Sequence, residues 1–293
     1  MFSYSKQYIS KEDLDYVNGA LLNNYLTQGP LIEKFESSLK KKFKSKYSVA
    51  VSSGTAALHL CGIALGWKEN DVVLLSSNTF VATANAVIYC NAIPDLIDID
   101  ESTHNIDIND LERKIKEYRK KNIKIHTVIA TDYAGHPCDW HNLYKLKLKY
   151  NFNLINDNCH SIGAKINNDK GYAVKYADLV VHSYHPVKAI TTGEGGCIFT
   201  NNSKYYENIK LLRSHGINRS KVLINKFGPW YYDIKKTGFN YRLSEISCAL
   251  GISQLKKLDK FINRRRDIAN QYIKLLSDLT YLKLPLENKN IRH

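Results

Sequence analysis

Short apolar runs alternate with longer segments of helical spacing through the first two-thirds of the chain. The runs at Tyr47–Val51, Val72–Ser76, Pro94–Ile99, Ile125–Thr131, Asn153–Asp157, Ala177–Tyr184 and Gly196–Thr200 read as strands, because short stretches rich in Val, Ile and Leu fit a sheet with both faces covered. Between and before them, Leu31–Phe43, Thr55–Gly66, Val81–Cys90, Asn109–Lys121 and Trp140–Tyr150 read as helices. Strand and helix alternating at this length predict βαβ units and a mostly parallel sheet, an α/β fold. From about Ser203 the pattern turns helical and ends in a long basic helix near Leu255–Leu279.

Composition narrows the class. The chain has 293 residues, and its 20 Tyr and 9 Phe, with abundant aliphatic residues, are enough to fill a large core. The stretch Met1–Asp13 has no apolar core of the kind a secretory signal needs, and every apolar run is interrupted before it reaches a membrane-spanning length. These features lead to the expectation of a cytoplasmic protein with no membrane partner. The six cysteines stand singly, without a metal-ligand spacing, and read as reduced thiols with no metal bound. The formal charge is +14, with runs at Lys40–Lys42, Lys44, Lys46 and at Arg264–Arg266. Both runs fall in amphipathic helical patterns and no nucleic-acid module accompanies them, so the charge is assigned to a solvated face or to anionic small molecules.

In open α/β sheets ligands bind at the carboxyl ends of strands. The residues found there are Ser52-Ser53-Gly54-Thr55, then Asp157-Asn158-Cys159-His160, then His185-Pro186-Val187-Lys188 followed by Thr191-Thr192-Gly193-Glu194-Gly195-Gly196. Ser53-Gly54-Thr55 at a helix start offers N–H groups and hydroxyls to a phosphate, and serves equally as an ordinary helix cap. Lys188 in a glycine-bounded turn can become a nucleophile towards carbonyls, or be a solvated surface lysine. Asp157 closes an apolar strand and either faces a cleft or caps the next turn. Phosphate cradle, carboxylate and amine are the three anchors of pyridoxal phosphate, with Phe80 available to stack on its ring or to fill the core.

The stretch Ser183–Gly196 resembles the Schiff-base segment of the DegT/DnrJ sugar aminotransferases. So do Phe239-Asn240-Tyr241-Arg242-Leu243-Ser244-Glu245-Ile246, Leu26-Thr27-Gln28-Gly29-Pro30 and Thr79–Asn85, in family order along nearly the whole chain. The resemblance implies the fold type I architecture of aspartate aminotransferase, pyridoxal 5′-phosphate as cofactor, and an intertwined homodimer with shared sites. It implies Lys188 as Schiff-base lysine, Asp157 as partner of the ring nitrogen, and Ser53, Gly54, Thr55 and Ser183 around the phosphate. His160 falls where the cofactor's phenolic side is contacted, and Asn240 where the neighbouring subunit's phosphate is reached. Thr27, Gln28, Gly29 and His185 fall to the substrate.

Gly228-Pro229-Trp230-Tyr231-Tyr232 and Arg213-Ser214-His215-Gly216-Ile217 are most similar to the branch of that family serving pseudaminic acid synthesis and flagellin glycosylation. That branch aminates C4 of a UDP-linked 4-keto-6-deoxy-N-acetylhexosamine with L-glutamate as donor. Dehydrating relatives carry histidine in place of the lysine, and Lys188 argues against that chemistry. The alternatives are another dTDP-, GDP- or UDP-linked 4-keto sugar, or a chain that binds without turnover. Three departures from the family pattern stand out: Asn156 and Asn158 flank Asp157 where Glu and a small residue are common, Ser52 stands where Asn is frequent, and the sequence ends at His293. The resemblance therefore divides the chain into an N-terminal segment with the large cofactor-binding domain over 1–250, and a linking helix with the start of a truncated small C-terminal domain over 251–293.

Overall fold

The structure, a computed structural model, describes residues 5–219 and 221–293. Its centre is a seven-stranded sheet of β1 (Tyr47–Val51), β2 (Val72–Ser76), β3 (Ile93–Ile97), β4 (Ile125–Thr131), β5 (Asn153–Asp157), β6 (Leu179–Ser183) and β7 (Gly196–Thr200). The spatial order is β1-β7-β6-β5-β4-β2-β3. From β6 to β3 neighbouring strands are parallel, and only β7 runs antiparallel to both of its neighbours. This is the mostly parallel sheet read from the sequence.

Both faces of the sheet are covered. Leu74, Val128, Ala130, Leu154 and Val180 point into one apolar cluster. Val73, Leu75, Ile129, Ile155 and Val181 point into the other. The two-residue period of a strand sends alternate side chains to opposite faces, which is why these strands read as unbroken apolar runs. The helices are α1 (Lys11–Leu21), α2 (Pro30–Lys42), α3 (Gly54–Leu65), α4 (Val81–Tyr89), α5 (Ile108–Lys120), α6 (Trp140–Tyr150), α7 (Tyr172–Tyr176), α8 (Ser203–Arg213), α9 (Lys221–Phe227) and α10 (Glu245–Leu276). α3 is apolar almost all round, with Ala56 to Gly62 buried without a break. A helix with that pattern belongs in the interior.

Glu245 fixes the junction of α2 and α10. Its carboxylate accepts hydrogen bonds from the Leu31 and Ile32 N–H groups at 2.9 and 3.1 Å, capping the start of α2 while opening α10 itself. Gly29 is glycine for a steric reason: a Cβ there would stand 2.7 Å from a Glu245 carboxylate oxygen. α10 is continuous across residue 250, where the sequence-based division falls. The stretch read as uniformly helical after Ser203 is interrupted by a small hairpin in which Ile217–Asn218 pairs with Asp233–Ile234.

Candidate active site

The strand ends collect the first cluster. Ser53 precedes α3 and its hydroxyl accepts from the Ala56 N–H at 3.0 Å, so its side chain does serve as the helix cap. Gly54 and Thr55 then supply the orphan N–H donors of the first turn, beside the positive end of the helix dipole. Two glycines let the neighbouring strands close around this turn. A Cβ on Gly54 would lie 2.9 Å from Ser183 Cβ, and one on Gly196 would lie 2.5 Å from the Ser53 carbonyl oxygen. The Ser183 hydroxyl thus stands directly against the α3 start, a built cradle for an anion.

Asp157 ends β5 and is buried. One carboxylate oxygen accepts from the Thr83 hydroxyl at 2.9 Å and the other from the Cys159 N–H at 3.2 Å. The Lys188 ammonium and the Asp157 carboxylate both act on His160 and on Cys159. Burial first and Lys188 second hold the His160 imidazole below its ordinary pKa, against an opposing pull from Asp157. Burial, reinforced by Asp157, drives the Cys159 thiol well above its usual range, so it is protonated and no nucleophile. The His160 ring also meets Tyr133 edge-on, with centroids 5.9 Å apart.

Lys188 sits on a loop that folds back on the end of β6. The Tyr184 carbonyl accepts from the Thr191 hydroxyl and the Thr192 N–H, both at 3.0 Å, and the Tyr184 N–H donates to Gly195. Gly193 turns the loop with φ of +80°, a conformation that glycine adopts without strain. The Lys188 N–H closes a turn onto the His185 carbonyl at 2.9 Å. Arg265, from the basic run in α10, donates to the Lys188 carbonyl at 3.3 Å. Part of that run therefore braces the lysine loop, and it is not simply a solvated face. His185 is exposed, with Nε2 4.0 Å from a Glu194 carboxylate oxygen.

Phe80 is 66% exposed at the start of α4, which removes the core-aromatic reading and leaves its ring open to a planar ligand. Thr27, Gln28, Gly29 and Asn240 are not brought to Lys188. Thr27 pairs with Ser244, and Asn240 pairs with Ser214. Gln28 and Gly29 line a separate cleft of about 360 Å³ with Lys40, Lys46, Arg213 and Arg242. Asn240 is exposed, one residue from Tyr241, whose carbonyl accepts the Ser52 N–H at 2.9 Å.

Behind the cluster lies a carboxylate that the sequence reading passed over. Asp132, just past the end of β4, is fully buried, and burial pushes its pKa up against the pull of its donors. It accepts from the Cys138 N–H and Trp140 Nε1 on one oxygen, and from Asn156, Asn158, Ser161 and Tyr172 on the other. The two asparagines that depart from the family pattern are thus amide donors to one buried acceptor. The strand-end rule applied to β4 would have found Asp132. Thr83 was within reach too, inside the Thr79–Asn85 motif.

A cradle nested on glycines, a buried carboxylate held by donors, a lysine on a braced loop and an open aromatic face fit pyridoxal phosphate in its phosphate, ring nitrogen, aldehyde and ring plane. The fold and this donor set define a pyridoxal phosphate-dependent aminotransferase. The chain belongs to the DegT/DnrJ/EryC1/StrS aminotransferase family, whose pattern matches residues 7–293. It is 39% identical over 296 aligned positions to the UDP-4-amino-4,6-dideoxy-N-acetyl-beta-L-altrosamine transaminase of Campylobacter jejuni, covering 100% of this chain and 75% of that one. It is 31% identical to the GDP-perosamine synthase of Escherichia coli O157:H7, covering 97% of this chain and 73% of that one. Among solved structures it superposes on Helicobacter pylori PseC, an aminotransferase of pseudoaminic acid biosynthesis, with a TM-score of 0.85 at 31% identity, over 95% of this chain and 71% of that one. Among the described residues no helix is long and apolar enough to cross a membrane.

Proposed function

We propose that the protein transfers the amino group of L-glutamate to the C4 ketone of a nucleotide-linked 4-keto-6-deoxy sugar, with a UDP-linked N-acetylhexosamine as the first candidate. The observation that carries the reading is the meeting of Lys188, Asp157 and the α3 cradle at one end of the sheet. The 39% identity to the Campylobacter enzyme supports the choice of sugar and, with it, a place in pseudaminic acid synthesis. Pyridoxal phosphate, when bound, supplies an electron sink that lets a proton leave the carbon next to an amine. The residues of this chain do the rest. The first turn of α3 and Ser183 hold the phosphate, Asp157 faces the ring nitrogen, and Phe80 covers the ring. Lys188 would hold the aldehyde end and, with its amine free, would take up and return a proton as general base and acid. His160 orients the ring edge.

The basic cleft beside Gln28 and Gly29 supports an anionic substrate, since Lys40, Lys46, Arg213 and Arg242 outnumber Glu33 and Glu36 along it. We assign this surface, with Thr27 and Asn240, to the site of a second subunit in a homodimer, and His185 to the sugar. Because similarity extends to a GDP-perosamine synthase, the test offers UDP-, dTDP- and GDP-linked 4-keto-6-deoxy sugars with glutamate and follows 2-oxoglutarate release. Amination of the UDP-linked N-acetyl sugar at a kcat/KM at least tenfold above the others is expected. A preference for the GDP sugar would move the protein to another pathway. No glutamate-dependent turnover with any of the three would overturn the reading.

A further inference from the structure

A line of three threonine hydroxyls ends on Asp157. Thr131 Oγ1 lies 2.9 Å from Thr79 Oγ1, which lies 2.9 Å from Thr83 Oγ1, which lies 2.9 Å from an Asp157 oxygen. The three come from separate places in the chain: the end of β4, the loop before α4, and the first turn of α4. Thr83 and Thr131 are buried and Thr79 is half-buried. Each hydroxyl has one proton to give, and a carboxylate can only accept. Thr83 therefore gives its proton to Asp157, Thr79 gives to Thr83, and Thr131 gives to Thr79. Only one proton order satisfies the row, and a chain polarised in one sense strengthens its terminal bond.

We propose that Thr83 is the positioning residue for Asp157, holding the carboxylate in the one orientation from which it serves the cofactor ring nitrogen, with Thr79 and Thr131 aligning the Thr83 hydroxyl. This rests on the role given to Asp157 above. The Asp157 side chain has two rotatable bonds, and the Cys159 N–H at 3.2 Å holds only one of its oxygens. Without Thr83 the carboxylate loses its hydroxyl donor and is left to Cys159 alone, through its N–H and its thiol. The same row joins Thr79 to β4 and so fixes the backbone that presents Phe80, its next neighbour. Thr83 is fully buried and acts through Asp157.

The test titrates apoprotein with pyridoxal 5′-phosphate, following protein fluorescence and cofactor absorbance, and then measures the glutamate half-reaction. Thr83→Val keeps the shape and removes the donor. It is expected to weaken cofactor binding roughly tenfold, the scale of one hydrogen bond to a charged group, and to slow the half-reaction while half-saturation by glutamate stays within about twofold. Thr83→Ser, which keeps the hydroxyl, should stay within about twofold of the parent in both. Thr79→Val, one link further out, should lose roughly threefold in cofactor affinity. In an Asp157→Asn background, Thr83→Val should add no further loss, because the two residues act as one unit. Parent-like binding by Thr83→Val, damage by Thr83→Ser equal to that by Thr83→Val, or a full additional loss in the Asp157→Asn background would each overturn the proposal. If Thr83→Val does not fold, an unchanged Thr79→Val overturns it instead. Asp157→Asn damaging beside a silent Thr83→Val would sink only the role of Thr83. A silent Asp157→Asn would sink the role of Asp157, and that of Thr83 with it.

Discussion

Lys188 and Asp157 stand out as candidates in the sequence because each interrupts an apolar or glycine-rich pattern at a strand end, where a polar residue is conspicuous. The loop that carries Lys188 is braced at three points: Tyr184 anchors the returning segment, Gly193 turns it, and Arg265 holds the Lys188 carbonyl. Borohydride treatment of cofactor-loaded protein should therefore fix pyridoxyl on the peptide carrying Lys188, read by mass spectrometry. Label on any other lysine would remove Lys188 from its role. Asp132 and Thr83 lie where the strand-end rule and the Thr79–Asn85 motif point, but what their side chains hold was not legible, and the reason is physical. Their meaning lies in partners from β4, the loop before α4, β5 and α7, which adjoin only after folding. Ser53 shows the opposite limit: the structure bears out the cap reading, and the phosphate cradle proposed above uses the same residues, so the two readings do not exclude each other.

At the scale of elements, strands were the easier part because both faces of the sheet are buried, which leaves an apolar run with sharp ends. α10 was harder. Its first three turns carry Cys248, Ala249, Gly251 and Ser253 as buried positions, too small and too polar to stand out as an apolar stripe. α1 was missed altogether, being held in place by ions as much as by apolar contact. Asp13 in its first turn is buried, and its carboxylate takes the Lys257 ammonium of α10 at 2.5 Å and the Ser10 N–H at 2.8 Å. Burial pushes the Asp13 carboxyl up, but Lys257 and Ser10 together pull it down to about 2 from its ordinary 3.8. A carboxyl lowered in the folded state stabilises the fold above its unfolded pKa, and that contribution is lost as the pH falls through the folded value. The window here runs from about pH 4 down to about pH 2, and the loss amounts to about 2 kcal/mol. Urea unfolding at pH 5 and pH 2.5 should show this loss in the parent. In Asp13→Asn the same interval should cost less by about that amount, and an equal loss in both proteins would mean that α1 docks without help from the ion pair.

At the scale of the whole molecule, two groups of apolar side chains lie exposed on one chain. Leu21, Leu22, Tyr25 and Leu26 at the end of α1, and Phe80, Val81, Ile88 and Tyr89 on α4, are exposed apolar side chains. Exposed apolar side chains grouped in this way are a place for another chain to sit. The residues expected to serve substrate and phosphate, Thr27, Gln28, Gly29 and Asn240, stand apart from Lys188 of their own chain. The homodimer with shared sites proposed above would answer both observations, and its consequence is quantitative. Lys188→Ala and Asn240→Ala proteins should each be inactive as homodimers when cofactor is limiting, one for lack of the amine and the other for lack of a phosphate ligand. After random exchange of an equal mixture, about half of the dimers are heterodimers, each with one intact and one doubly damaged site. The glutamate half-reaction should then return to roughly a quarter of the parent level by this count of sites. Proximity of Asn240 to Ser52, through the Tyr241 carbonyl, offers the competing geometry in which Asn240 serves its own chain. In that case every heterodimer site carries one lesion, and the mixture stays inactive despite exchange verified by a tagged subunit.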